Sequence, residues 1–112
     1  MKKTILITED DEDIVELLTL YLTGNEFDVL VANDGLHAYH IIKDKTVDLL
    51  LLDIMIPKMN GYELIKKLRE EHNSIPIIIL SAKSMDIDKI LGLNLGADSY
   101  ITKPFNPLEV VA

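Results

Sequence analysis

The chain has 112 residues, a formal net charge of −8 and no cysteine, and 48% of its residues are hydrophobic. This length indicates one domain with its own core, and the acidic balance disfavours direct nucleic-acid binding because phosphate contacts require a cationic surface. The absence of cysteine excludes disulfides and thiolate metal sites, and no apolar run approaches the ~20 residues of a membrane span. The N-terminus leads directly into an apolar segment without a signal-peptide pattern, so we expect a cytoplasmic protein with no membrane partner.

Short apolar segments alternate with amphipathic segments along the chain. The apolar segments have the length and composition of buried strands. The predicted strands are Thr4–Thr8, Asp28–Ala32, Val47–Leu52, Ile75–Leu80 and Ser99–Thr102. Because helical patterns separate them, this alternation predicts a parallel sheet with helices on both faces.

The segments between the predicted strands carry helix start and stop signals. The first helix is predicted to begin after a cap at Asp11 or Asp13 and to end at Gly24. Three further helices are predicted over Leu36–Lys43, Tyr62–His72 and Asp86–Leu95. Asn106 caps a fifth, which has room for only about one and a half turns before Ala112. We therefore expect this chain to be a fragment of a longer protein, with the fifth helix truncated.

Polar side chains follow the predicted strands at the points where the strands end. Glu9 and Asp10 follow the first strand, and Asp53 follows the third. Ser81 follows the fourth strand, and Lys103 follows the fifth. Because the carboxyl ends of parallel strands meet at one edge, where open α/β sheets bind ligands, we expect these side chains to lie together. Each residue alone is a common strand-end cap, but the set indicates a functional site.

The chemistry of this set points to phosphoryl transfer. Three neighbouring carboxylates repel each other and attract a cation, and oxygen ligands without histidine or cysteine suit Mg²⁺. Lys103 can balance charge and contact a phosphoryl oxygen, and Ser81 adds a hydroxyl donor. A carboxylate nucleophile, a metal and donors to the phosphoryl oxygens are the components that phosphoryl transfer to an aspartate requires.

Four segments of the sequence resemble the receiver domain of bacterial two-component response regulators. They are ILITEDD, LLLLDIMIPKMNGYELIKKLR, PIIILSAK and GADSYITKPF. The resemblance covers the chain from Lys3 onward. It implies a single receiver domain over residues 1–112, with a flavodoxin-like, doubly wound fold of five parallel strands in the order 2-1-3-4-5.

The resemblance also implies a role for each residue of the acidic site. Asp53 would accept a phosphoryl group from the phosphohistidine of a sensor histidine kinase. Glu9, Asp10, Asp53 and the backbone carbonyl of Met55 would bind Mg²⁺, with Asp10 favoured as the direct ligand of the acidic pair. Asp11 would cap the first helix.

By the same resemblance, the site is coupled to a switch. Ser81 and Lys103 would contact the phosphoryl group. Ser81 would move toward that group and the Tyr100 ring would turn inward into the space that it leaves, which biases an existing equilibrium between two conformations. This implies a signalling protein that assists its own phosphorylation and dephosphorylation, not an enzyme acting on a separate substrate.

The run GADSYITKPFNPLE is most similar to the OmpR/PhoB class, whose receivers precede a winged-helix DNA-binding domain. That class implies an activated homodimer through the fourth helix, fifth strand and fifth helix, and DNA binding only through a domain beyond Ala112. The residues that match its dimer contacts are Lys89, Leu93, Glu109 and Val111. Ser99 stands where the class usually has an acid, so the dimer network is incomplete in this chain.

Two alternatives stay open from the sequence. One is a stand-alone receiver that acts by protein contact alone. The other is a Mg²⁺-dependent phosphatase with an aspartyl nucleophile, similar to haloacid dehalogenase-like hydrolases. Those hydrolases need a second aspartate two residues after the nucleophile as a general acid, and here that position is Met55, which cannot carry a proton.

Overall fold

The computed structural model describes residues 3–54, 56, 58–81 and 93–102. Five strands form one sheet: β1 (Thr4–Thr8), β2 (Asp28–Ala32), β3 (Leu49–Asp53), β4 (Ile77–Ser81) and β5 (Ser99–Thr102). Their spatial order is β2-β1-β3-β4-β5, and every neighbouring pair is parallel. The predicted fold class and strand order are therefore confirmed.

Within the described residues, three complete helices connect the strands: α1 (Glu12–Gly24), α2 (Gly35–Asp44) and α3 (Gly61–Glu70). α3 ends before the predicted His72, which has a left-handed φ of 61° and so leaves the helical path. Residues 93–95 are helical and belong to the predicted fourth helix. The rest of that helix and the predicted fifth helix lie outside the described residues, and within the described ones no helix has the length and apolar character to cross a bilayer.

Each of the three helices begins at a side-chain cap. Asp11 Oδ1 accepts hydrogen bonds from two backbone N–H groups of the first turn of α1, at 3.0 and 3.4 Å. Asp34 Oδ1 accepts from His37 N at 2.7 Å, and Asn60 Oδ1 accepts from Glu63 N at 3.0 Å. These oxygens satisfy N–H groups that have no partner within the helix. Of the two caps considered for α1, Asp11 is the one that the structure uses.

The sheet is buried on both faces by two separate apolar clusters. Alternate residues of β1 and β3 face opposite sides of the sheet. Leu6 and Leu50 therefore belong to the apolar cluster on the side of α2 and α3. Ile7 and Leu51 pack on the α1 side with Leu18. Because the central strands are covered twice, they are continuously apolar, as the sequence pattern indicated.

The predicted strand Ile75–Leu80 begins and ends later than expected. The backbone N–H of its first predicted residue donates to Asn73 Oδ1 at 2.9 Å, and Pro76 has no N–H to donate to a neighbouring strand. The third strand is shifted in the same direction. As a result Asp53 and Ser81 are the last residues of their strands, and both lie at the carboxyl edge of the sheet.

Arg69 ties the end of α3 to the segment that leads into β5. Its Nε and Nη2 donate to Gly96 O at 3.1 and 2.6 Å, and its Nη1 donates to Asn73 O and Ile75 O, both at 2.8 Å. Asp98 Oδ2 lies 3.4 Å from Nη2 and also accepts from the first backbone N–H of β4 at 2.8 Å. One planar guanidinium thus holds the amino-terminal ends of two strands in register.

Candidate functional site

Three carboxylates meet at the carboxyl edge of the sheet. Glu9, Asp10 and Asp53 each offer one oxygen atom, and these oxygens all lie within 4.8 Å of one another. Glu9 is 2% exposed and Asp53 is 6% exposed, whereas Asp10 faces solvent. The site therefore combines two buried acids with one that is open to incoming ligands.

Strand pairing and the turn after β1 hold these acids in place. Asp53 ends β3 and lies opposite Leu80 of β4. Glu9 N donates to Ala32 O at 3.2 Å, and Glu9 Oε1 accepts from Asp11 N at 3.2 Å. The three consecutive acids after β1 thus have separate positions: Glu9 is buried, Asp10 is exposed, and Asp11 caps α1.

The donor set fits a hard divalent cation. Its ligand atoms are carboxylate oxygens, which Mg²⁺ and Ca²⁺ prefer. Carboxylates within 4.8 Å of one another repel, and a divalent cation bound between them would offset that repulsion. Asp10 is exposed to solvent, and Mg²⁺ usually retains several waters or phosphate oxygens when it binds proteins.

The loop after Asp53 ends close to the point where it begins, at the end of β3. Gly61 N donates to Ile54 O at 3.0 Å, which ties the two ends of the loop together. A Cβ on Gly61 would lie 2.6 Å from Ile54 Cα and 3.2 Å from Asp53 O, so only glycine allows α3 to begin this close to the acceptor. Lys58, within the loop, has a left-handed φ of 64°.

Asp34 links this loop to α2 and was not among the predicted site residues. Its Oδ2 lies 3.7 Å from Lys58 Nζ, while Oδ1 caps the helix through His37 N. The hydrogen bond from His37 N, and to a lesser degree the charge of Lys58, lower the pKa of Asp34. An Asn-Asp-Gly sequence is typical of a turn, but no sequence signal pairs Asp34 with a residue 24 positions away.

Two further predicted residues lie in the strands β4 and β5. Ser81 ends β4 opposite Thr102, and Tyr100 is a half-buried residue of β5 that packs against the cluster on the α2 and α3 side. Leu93, predicted for the dimer contact, is helical and 44% exposed. The predicted residues that lie outside the described part of the chain are Met55, Lys89, Lys103, Glu109 and Val111.

Comparisons with known proteins agree with this geometry. Residues 5–112 match the family described as the response regulator receiver domain. The chain is 53% identical over 112 residues to response regulator GtcR of Aneurinibacillus migulanus, and 46% identical to the alkaline phosphatase synthesis transcriptional regulatory protein PhoP of Bacillus subtilis (strain 168). All of this chain is covered in both matches, but only 46% and 47% of the two relatives, so the chain spans about half of their length. The receiver domain of the Francisella response regulator 1452 superposes with a TM-score of 0.95 at 35% identity, covering 98% of this chain and 91% of that one.

Proposed function

The chain belongs to the family of response regulator receiver domains, with relatives of the OmpR/PhoB type, and we propose that phosphorylation of Asp53 is the event that switches it. The observation that carries the proposal is the burial of Asp53 at the end of a central strand, within 4.8 Å of the Glu9 and Asp10 carboxylates. Family membership makes it a signalling protein and leaves the hydrolase alternative without support.

In the proposed reaction, a carboxylate oxygen of Asp53 attacks the phosphorus of a kinase phosphohistidine. The phosphorus–nitrogen bond breaks as the acyl phosphate forms, and the imidazole leaves as neutral histidine after taking up a proton. Glu9, Asp10 and Asp53 would hold Mg²⁺, which when bound supplies positive charge to the phosphoryl oxygens. The Glu9 and Asp10 carboxylates act by fixing that charge next to the acceptor, and their own repulsion is relieved in the same arrangement.

Further residues complete the proposal through the family resemblance. Lys103 and the Ser81 hydroxyl donate to the phosphoryl oxygens, and Met55 contributes its backbone carbonyl to the metal. Movement of Ser81 and inward rotation of Tyr100 then change the surface formed by β5 and its neighbouring helices. The half-buried position of Tyr100 in β5, packed against the core, is compatible with a ring that exchanges between two positions.

The output of the switch is proposed to be transcription control in the cytoplasm. PhoP of Bacillus subtilis is named a transcriptional regulatory protein, and this chain spans about half of its length. We therefore propose that a sensor histidine kinase is the input partner and that DNA is reached through a further domain. Receiver pairing would use Lys89, Leu93, Glu109 and Val111, of which Leu93 already presents an exposed apolar side chain.

Intact mass spectrometry after incubation with acetyl phosphate and Mg²⁺ tests the acceptor role. We expect one added phosphoryl group on the unchanged protein, and we expect hydroxylamine to remove it because hydroxylamine cleaves acyl phosphates. No adduct should form on Asp53→Asn or in the presence of a chelator. An adduct of equal yield on Asp53→Asn would show that another residue is the acceptor. Folded, Mg²⁺-saturated protein that takes up no phosphoryl group from acetyl phosphate or from a kinase would overturn the proposal.

A further inference from the structure

The first turn of α2 lies directly against the loop that follows Asp53. Gly35 is the first residue of α2 and is buried. A Cβ at this position would lie 1.6 Å from the Met59 carbonyl oxygen, 2.6 Å from the Met59 carbonyl carbon and 3.0 Å from Met59 Cβ. Two of these distances are far inside van der Waals contact, and both involve backbone atoms. Only glycine therefore allows the helix and the loop to approach this closely.

The same loop is held at two other points. Its ends are joined by the hydrogen bond from Gly61 N to Ile54 O at 3.0 Å. Near its tip, Lys58 Nζ lies 3.7 Å from Asp34 Oδ2, the residue that precedes Gly35. The tip of the loop thus rests on the start of α2, while its base is tied to the residue that follows Asp53. The contacts at the tip and at the base therefore both bear on the position of this backbone segment.

We propose that Gly35 is a positioning residue for the phosphoacceptor site. By admitting the Met59 carbonyl against α2, it sets the path of the backbone that leaves Asp53, and with it the arrangement in which Asp53, Glu9 and Asp10 receive a divalent cation. The inference rests on the function proposed above. It goes beyond that function because Gly35 belongs to a helix that contributes none of the three carboxylates.

The consequence is a predicted loss of Mg²⁺ affinity in Gly35→Ala. The added methyl group cannot occupy its position unless α2 or the loop moves, and the carbonyl that it meets is backbone that cannot rotate away. Residues that orient metal ligands from outside the coordination sphere typically change metal affinity by 10–100-fold when they are altered. We expect a Mg²⁺ dissociation constant about tenfold higher than in the unchanged protein, at the low end of that range.

Gly24→Ala is the matched control. Gly24 also lies at a helix end, as the last residue of α1, but a Cβ there would meet no heavy atom within 4 Å. The Mg²⁺ dissociation constants of the three proteins are measured by calorimetry, well below each melting midpoint, so that lower stability alone does not alter them. Weaker Mg²⁺ binding by Gly35→Ala, with unchanged Mg²⁺ binding by Gly24→Ala, supports the proposal. A folded Gly35→Ala that binds Mg²⁺ as tightly as the unchanged protein overturns it.

A second measurement uses only the unchanged protein, so it tests the positioning role of Gly35 even if Gly35→Ala does not fold. In an NMR titration of the unchanged protein with Mg²⁺, the amide resonances of Gly35 and Met59 should shift with the same midpoint as that of Asp53, while Gly24 stays constant. A stationary Gly35 would overturn the positioning role. Failure of the unchanged protein to bind Mg²⁺ would be seen before any variant is compared, and would count against the proposed function itself.

Discussion

Glu9 and Asp53 bring two buried carboxylates within 4.8 Å of each other at the ends of the neighbouring strands β1 and β3. Strand pairing imposes this proximity, because Thr8, the residue before Glu9, lies opposite Leu52, the residue before Asp53. The strand pairing therefore fixes the backbone from which both side chains project. A cation bound between the two carboxylates would offset their mutual repulsion.

Asp53→Asn should stabilise the protein when no divalent cation is present. The substitution removes one of the clustered charges and keeps the size of the side chain. At the effective dielectric constant of a protein, charges this close interact by on the order of 1 kcal/mol or more, so we expect the melting midpoint to rise by roughly 4 °C. Thermal melting in a chelating buffer measures this, with Glu16→Gln as a control that removes one exposed charge from α1. A midpoint at or below that of the unchanged protein would contradict the prediction.

Mg²⁺ should raise the melting midpoint of the unchanged protein more than that of Asp53→Asn. The cation binds only the folded arrangement of carboxylates, and at a hundred times its dissociation constant it would add about 2.7 kcal/mol to the free energy of unfolding. Na⁺ at equal ionic strength is the control, because screening alone stabilises a chain of net charge −8. The metal site would be refuted if Mg²⁺ and Na⁺ gave the same curve.

Asp34 should stabilise α2 in a manner that depends on pH. Its folded-state pKa is lowered, chiefly by the hydrogen bond from His37 N, so ionised Asp34 adds stability above its unfolded pKa near 3.8. That contribution is lost as the pH falls through the lower folded value. Asp34→Ala should cost about 1 kcal/mol at neutral pH, and Asp34→Asn should cost less because asparagine also caps helices.

Urea unfolding of these proteins from neutral pH to below 3.8 measures the direction in which the Asp34 contribution to stability changes with pH. The gap between the unchanged protein and Asp34→Ala should narrow on acidification. A gap that is constant or widens would mean that the Asp34 charge does not stabilise the folded state.

Much of the fold could be predicted from the sequence because the signals are local. The alternation of apolar runs and helical patterns predicts the parallel sheet. Asp11 is a candidate cap because it lies just before the first helix. β4 begins later than predicted because pairing depends on available N–H groups: Pro76 has none, and Asn73 engages that of Ile75. Such boundaries depend on side chains just outside the strand, which a run of apolar residues does not reveal.

The site divides in the same way. Because parallel strands end at one edge of the sheet, it was possible to predict that Glu9, Asp10 and Asp53 lie close together. The contact of Gly35 with the Met59 carbonyl could not be predicted, since it joins residues 24 positions apart through backbone atoms that carry no sequence signal. The positions that support the acceptor are therefore harder to predict than the acids themselves.

Thr8→Val should stabilise the protein. Thr8 is fully buried, and its Oγ1 has no hydrogen-bond partner among the residues that the structure describes. A buried hydroxyl without a partner costs about 1–3 kcal/mol, and valine replaces it with a methyl group of similar size. We expect the free energy of unfolding to rise by about 1 kcal/mol, as measured by urea denaturation. Thr8→Ser, which keeps the hydroxyl and loses the methyl group, should be less stable than the unchanged protein. A Thr8→Val protein that is less stable than the unchanged protein would contradict the prediction.

Arg69→Lys should destabilise the protein although it conserves the charge. The guanidinium donates to the carbonyl oxygens of Gly96, Asn73 and Ile75 at once, and a single ammonium group cannot reach all three. Because carbonyls left without a donor are costly, we expect a loss of about 2 kcal/mol in urea denaturation.

Gly96→Ala tests the same junction from its other side. Gly96 has a φ of 118°, and a Cβ there would lie 2.9 Å from both Cγ and Nε of Arg69, so alanine would strain the backbone and displace the guanidinium. We expect Gly96→Ala to be at least as destabilising as Arg69→Lys, and the double variant to lose less than the sum of the two because they disturb one contact. Gly24→Ala, with open space around it, should be close to neutral. Strictly additive losses would show that the two residues act independently, and the junction between α3 and β5 would then have to be held by other contacts.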